Sequence, residues 1–153
     1  MEFADDVWTI WRRFAEFTVM ELYEALRLRQ AAFVVEQASP YPDLDGLDQR
    51  ASHLLLRIED GLAGYLRLIP YPDEHRAAIG RVAVAPPFRR RGLARLMMEG
   101  ALASCRRDHP DWAVTLDAQS YLVPFYESLG FRSVSPPYDD YGVPHVAMRL
   151  EER

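Results

Sequence analysis

The stretch Arg81-Val82-Ala83-Val84-Ala85-Pro86-Pro87-Phe88-Arg89-Arg90-Arg91-Gly92-Leu93-Ala94 has the residue types and order of an anion site. An apolar run leaves through two prolines into three arginines and opens into a helical pattern near Gly92. The first turn of a helix has N–H groups without intrahelical partners and the positive end of the dipole, so it attracts phosphate. Gly92 has no side chain to hold a ligand off the backbone, and Ala94 has little. The guanidinium groups of Arg89, Arg90 and Arg91 suit phosphate oxygens. Three arginines before a helix are ordinarily a solvated turn. Here the coincidence of strand, turn, glycine and helix favours a cradle for a diphosphate. Neither a nucleotide P-loop nor a Gly-x-Gly-x-x-Gly dinucleotide motif is present.

The elements around this stretch follow from periodicity. Trp8 to Phe14 is aromatic and roughly alternating, a first strand. Thr18-Val19-Met20-Glu21 is a capping box, and Val19, Leu22, Tyr23, Leu26, Phe33 and Val34 behind it predict an amphipathic helix to about Gln37, with Arg27 and Arg29 on its other face. Ser39-Pro40-Tyr41-Pro42-Asp43 ends it. His53 to Ile58 and Leu62 to Ile69 flank Asp60-Gly61, a two-residue hairpin signal. Ile79 to Ala85 is a short strand, Gly92 to about Arg106 a helix, Ala113 to Asp117 a strand, and Ser120 to Leu129 a helix closed by Gly130. Phe131 to Val134 and Val143 to Leu150 finish as strands, joined by a turn-rich segment from Pro136 to Gly142. The order βαβββαβαββ describes one α/β domain over residues 1–153.

Composition narrows the partners. The chain of 153 residues is 49% hydrophobic and 27% charged, as expected of a globular domain. Its net charge of −5 argues against broad nucleic-acid binding. All basic residues are arginines, so no lysine can form a Schiff base; the bias suggests a GC-rich bacterial genome. Apolar runs stop well short of the ~20 residues a bilayer span needs. The acidic start, Met1 to Asp6, does not resemble a secretory signal, so a cytoplasmic location is expected. Cys105 stands alone, on a helix stripe that makes it a core residue rather than a nucleophile. Asp43-Leu44-Asp45-Gly46 lacks the further ligands of a calcium loop, and no metal is expected. Glu36, Asp43, Asp45, Asp48, Asp139 and Asp140 are candidates to line a site for a cationic amine.

Arg89-x-x-Gly92-x-Ala94 after a Val-x-Val strand resembles the coenzyme A signature of the GNAT superfamily. Phe125-Tyr126-Glu127-Ser128-Leu129-Gly130-Phe131 is similar to that family's Phe-Tyr-x-x-x-Gly-Phe element. Phe33-Val34-Val35-Glu36-Gln37, Pro40-Tyr41-x-Asp43-x-Asp45-Gly46, Ile79-Gly80-Arg81-Val82, Ala118-Gln119 and Gly142-x-Pro144-His145 resemble its ElaA-like branch. The likeness runs in order from about residue 8 to 150. It implies a mixed twisted sheet of about seven strands with helices on both faces, splayed between strands 4 and 5. It also implies transfer of an acetyl group from acetyl-coenzyme A to a primary amine, on a small molecule or a peptide. Val82, Ala83 and Val84 would run along the cofactor arm, with the Val82 N–H as donor to the acetyl carbonyl. The amides of Arg90 to Ala94, including Leu93, would hold the diphosphate, Gln119 would contact the cofactor, and Tyr126 would protonate the departing thiolate.

The resemblance supplies no general base. Many relatives carry a glutamate where this chain has Gly80. Glu36, His53, Asp117 and His145 are the candidates, with His145 and Glu36 ahead because both lie in branch-like segments. Each also has a plain structural reading, as a helix-end charge, a strand-start residue, a strand-end acceptor or an edge residue. Two other functions stay open: a coenzyme A-binding module without turnover, and an interaction domain or homodimer built on Trp8, Trp11, Phe14 and Phe17.

Overall fold

A computed structural model describes residues 7–151; the acidic segment 1–6 lies outside the described residues. The chain opens with β1 (Val7–Arg13), a single 3₁₀ turn (Phe14–Glu16) and α1 (Val19–Gln30). Thr18 and Glu21 close the expected capping box, Glu21 N–H donating to Thr18 Oγ1 at 3.0 Å and Thr18 N–H to Glu21 Oε1 at 2.9 Å. Past Gln30 the helix widens over Ala31–Val35 into turns of the i→i+5 kind, Glu36 N–H reaching Ala31 O at 2.9 Å. Such a segment rotates the residues after it away from α-helical register and recurs at functional sites.

A meander follows: β2 (Ser52–Ile58), β3 (Gly61–Tyr71) and β4 (Arg76–Val84), all antiparallel. The turn sits one residue earlier than the dipeptide signal suggests. Ile58 pairs with Gly61, so Glu59 and Asp60 make the turn, and Glu59 takes a positive φ of 56°. Then come α2 (Leu93–Asp108), β5 (Ala113–Gln119), a 3₁₀ turn (Ser120–Leu122), the short α3 (Val123–Glu127), β6 (Phe131–Ser133), β7 (Tyr138–Asp140) and β8 (Val143–Leu150). β7 occupies what reads as a loop, so the sheet has eight strands among the described residues, ordered β1-β2-β3-β4-β5-β8-β6 with β7 also on β8.

The helices cover both faces. Alternate residues of β2 separate the two cores: Leu54, Leu56 and Ile58 pack with Leu93, Met97, Met98, Ala101 and Tyr126, while Leu55 packs with Ala25 and Tyr65 under α1. Burying each such aliphatic side chain contributes about 1.5–3 kcal/mol. α2 lies so close to β3 that a Cβ at Gly64 would come within 2.9 Å of the Met97 side chain. The N-terminal aromatics mostly turn inward: Trp11 packs on the larger core and Phe17 against His53 at 4.8 Å, whereas Trp8 is exposed. Among the described residues no helix is long and apolar enough to cross a membrane.

Candidate functional site

β4 and β5 are the parallel pair, and they pair only at Arg76–Ala113, Ala77–Val114 and Ala78–Thr115. Beyond these they diverge around a wedge-shaped cavity of about 920 Å³. Val82, Ala83, Val84, Arg89, Arg90, Gly92, Leu93, Ala94, Gln119 and Tyr126 line it, which brings together almost every residue expected around the cofactor. Arg91 is not among them; its guanidinium lies over the Phe88 ring, 5.6 Å from the centroid.

One wall of the wedge is a break in the ladder. Tyr65 pairs with Ala83 and Arg67 with Gly80, so Arg81 and Val82 together oppose Leu66 in a β-bulge. Arg81 adopts φ 54°, rare for a side-chain-bearing residue. β5 has already parted from β4 here, and Val82 has no register partner on β3 or on β5. At the far end, Arg90 (φ 65°) and Gly92 (φ 75°) curl the chain into α2. The first backbone bond of the helix is Leu96 N–H to Gly92 O at 3.1 Å, so the N–H groups of Leu93, Ala94 and Arg95 precede it without an intrahelical partner among the described residues. A Cβ on Gly92 would meet nothing within 4 Å, so the glycine serves the turn and the surface before it is open. These features suit a diphosphate held by main-chain amides.

The arginines divide the work differently from the sequence expectation. Arg89 is gripped by Glu36 through two bonds of 2.7 Å and donates to Val84 O at 2.9 Å, so three of its five N–H donors are already engaged. Arg95, which the motif did not single out, lines the wedge one turn into α2 and donates to Ser128 Oγ at 2.5 Å. Helical spacing from Gly92 is the signal that would have found it.

A second cavity, about 390 Å³, opens on the other side of the bulge and shares Phe33, Gln37, Val82, Gln119, Leu122 and Tyr126 with the first. Tyr126 therefore stands where the two meet. It is 6% exposed, with Phe125 and Phe131 edge-on, and burial pushes its phenol up to about 12. It keeps its proton at neutral pH.

The candidate bases separate on position. His145 lines the second cavity beside Tyr138, their rings 6.0 Å apart and inclined at 29°. Its Nδ1 lies 2.8 Å from Val143 O; a carbonyl only accepts, so Nδ1 carries the hydrogen and neutral His145 has its lone pair on Nε2. Asp117 lines the same cavity and accepts the Tyr138 hydroxyl at 2.8 Å. Glu36 lines the first cavity, and its bonds to Arg89 hold its carboxyl below the usual range. That makes it a poor base. His53 is 1% exposed and lines neither cavity; its Nε2–H donates to Asp48 O and its Nδ1 accepts from Tyr65, while burial lowers its pKa.

The acidic loop is not a row of free carboxylates. Arg29 was expected on a solvated face but is 1% exposed; it bonds Asp43 at 3.1 Å and Asp48 at 2.8 Å. Arg67 bonds Asp48 at 3.0 Å and Asp45 at 2.5 Å, and Arg81 bonds Asp43 at 2.7 Å and Asp45 at 3.2 Å. Three guanidiniums thus neutralise three carboxylates. Asp139 caps Gly142 N–H at 3.1 Å, and Asp140 is the loop carboxylate that lines the second cavity without such a partner among the described residues. Cys105 is buried, its thiol pushed up to about 11 by that burial, and borders a third cavity of about 440 Å³ sharing no residue with the other two.

Residues 21–152 match the acetyltransferase (GNAT) domain family. A UPF0039 protein of Schizosaccharomyces pombe is 40% identical over 93% of this chain and 95% of its own length. Protein ElaA of Escherichia coli is 39% identical over 90% of this chain and 92% of its own. The crystal structure of Escherichia coli ElaA and that of an acyl-CoA N-acyltransferase from Pseudomonas aeruginosa each superpose with a TM-score of 0.89, at 36% identity, covering 95% of this chain and 99% of theirs. Splayed strands, bulge and glycine-led helix thus coincide with likeness along nearly the whole chain: it belongs to the GNAT acyltransferase family, in its ElaA-like branch.

Proposed function

We propose that the chain transfers an acetyl group from acetyl-coenzyme A to a primary amine by direct attack on the thioester. The observation that carries this reading is the meeting of two cavities at Tyr126: one bordered by the helix N-terminus at Gly92 and the bulge residue Val82, the other by His145 and Asp117. The coenzyme supplies an activated thioester carbonyl and a thiolate leaving group. The amides of Arg90 to Ala94 hold its diphosphate, Gln119 lies at the junction, and Val82 N–H donates to the carbonyl oxygen as charge builds there. His145 Nε2 takes a proton from the amine, directly or through one water. As the C–N bond forms and the C–S bond breaks, Tyr126 Oη gives its proton to sulfur.

Binding comes first. Acetyl-coenzyme A at ~100 times its dissociation constant should add about 2.7 kcal/mol of stability, read as a rise in Tm, while adenosine without the diphosphate should add little. No shift with millimolar acetyl-coenzyme A would sink the proposal. The two candidate bases are then told apart by turnover of any amine that releases free thiol. Replacing His145 with Gln should lower kcat about 10²-fold. Glu36→Gln should leave kcat within about 3-fold, because that carboxylate serves Arg89 and the helix end. The reverse ranking would return the base to Glu36.

A further inference from the structure

Arg81 stands in the bulge with a left-handed backbone that costs an arginine energy and that nothing in its own sequence neighbourhood favours. A residue at positive φ turns the following peptide out of the line of an extended strand. The following peptide here is the one carrying the Val82 N–H. The side chain of Arg81 is held by four hydrogen bonds: Nε to Asp43 Oδ1 at 2.7 Å, Nη1 to Tyr41 Oη at 2.7 Å, Nη2 to Asp43 O at 3.0 Å and Nη2 to Asp45 Oδ2 at 3.2 Å. Its guanidinium also lies over the Tyr41 ring, 4.8 Å from the centroid.

The loop that receives it is anchored from two other directions. Arg29, from α1, bonds the Asp43 carboxylate and carbonyl from the opposite side. Arg67, from β3, bonds both Asp45 oxygens. The strained residue is therefore tied through its side chain to a loop that is itself fixed to the helix on one face and to the neighbouring strand.

We infer that Arg81 is a positioning residue for the acyl-transfer reaction: its bonds to Tyr41, Asp43 and Asp45 hold the β4 bulge in the conformation that presents the Val82 N–H to the thioester carbonyl. The inference rests on the function proposed above for Val82. It assigns Asp43, which lines neither the first nor the second cavity, a part in catalysis without contact with either reactant.

Two variants test it. Arg81→Ala removes the tether and keeps the backbone cost; Arg81→Gly removes the tether and the cost together, and is the safer folder. Urea midpoints establish that each is folded. The probe is acetyl-coenzyme A labelled with ¹³C at the thioester carbonyl, read by infrared difference spectroscopy. In the unaltered protein the bound carbonyl band should move to lower frequency than in water-free solvent, from the hydrogen bond. In both variants that downshift should be lost, with kcat down at least ~10-fold and the acetyl-coenzyme A Kd within ~3-fold. A native downshift in Arg81→Gly overturns the inference, as does a loss of affinity as large as the loss of kcat. If acetyl-coenzyme A does not bind the unaltered protein at all, the function proposed above fails and the tether is judged without ligand. The Val82 amide resonance should be single and sharp in the unaltered protein and broadened or split in both variants, and an unchanged resonance overturns the tether too.

Discussion

Replacing Tyr126 with Phe should lower kcat about 10³-fold while leaving the Kd for acetyl-coenzyme A within a few-fold. The magnitude follows from the surroundings. Tyr126 is 6% exposed and stands among Val82, Leu122 and Phe125, so in the variant the departing thiolate would find apolar walls where a donor had been. An unpaired anion in such a place is costly. His145 is only half-buried, in a cavity with a second acceptor in Asp117, so water can partly replace it and a smaller loss is expected there. The phenol's displacement to about 12 fixes the pH behaviour. It stays protonated in the free enzyme through the whole working range, so Tyr126 should contribute no falling limb to kcat/KM below about pH 11. Steady-state rates at saturating acetyl-coenzyme A, with Kd from titration, decide it: full activity in the Phe variant removes Tyr126 from the mechanism.

Removing the Asp48 carboxylate should destabilise the fold by about 3–5 kcal/mol, since Arg29 and Arg67, 1% and 3% exposed, would each lose a buried counter-charge. Asp48→Ala should shift the urea midpoint without changing the slope, and Asp48→Asn, which keeps the volume and one acceptor, should cost less. A loss below ~1 kcal/mol would mean that water or another carboxylate takes over. Acid should expose the same network. Burial alone would raise the Asp45 carboxyl, but the Arg67 hydrogen bonds and the Leu47 N–H outweigh it and hold it at about 2. Asp48 is likewise lowered, its Arg29 and Arg67 contacts outweighing burial. Depressed folded-state values add stability that is complete above the unfolded value, about 3.9, and is lost as pH falls through the folded one. Stability from this source should hold from neutrality to about pH 4 and fall between there and pH 2.

What could be read beforehand was local. The Thr18–Glu21 capping box, the β2–β3 hairpin and the strand–turn–helix at Gly92 each depend on residues within a few positions of one another, and spacing reveals them. The eighth strand escaped because Tyr138–Asp140 is three residues long and follows two prolines, so its pairing with β8 leaves no periodic trace. The state of the charges escaped for a different reason. Arg29 reaches Asp43 and Asp48 across 14 and 19 positions, and Arg89 reaches Glu36 across 53. Only the folded chain reveals that these carboxylates are neutralised rather than offered to an amine. The widened turn at Ala31–Val35, which sets where Glu36 and Gln37 fall, has no composition signal either.

The three residue pairs joining β4 to β5 also bear on how the chain folds. The meander β1–β4 with α1 is built from near neighbours in sequence, whereas β5, β6, β7 and β8 form their own antiparallel group around β8. The backbone seam between these groups is short, and side chains under α2 supply most of the rest. Separate cooperative units are expected wherever few backbone bonds cross. A ligand lying in the wedge would act as a guest strand, and amide exchange should then slow together in both groups, as if two modules had become one.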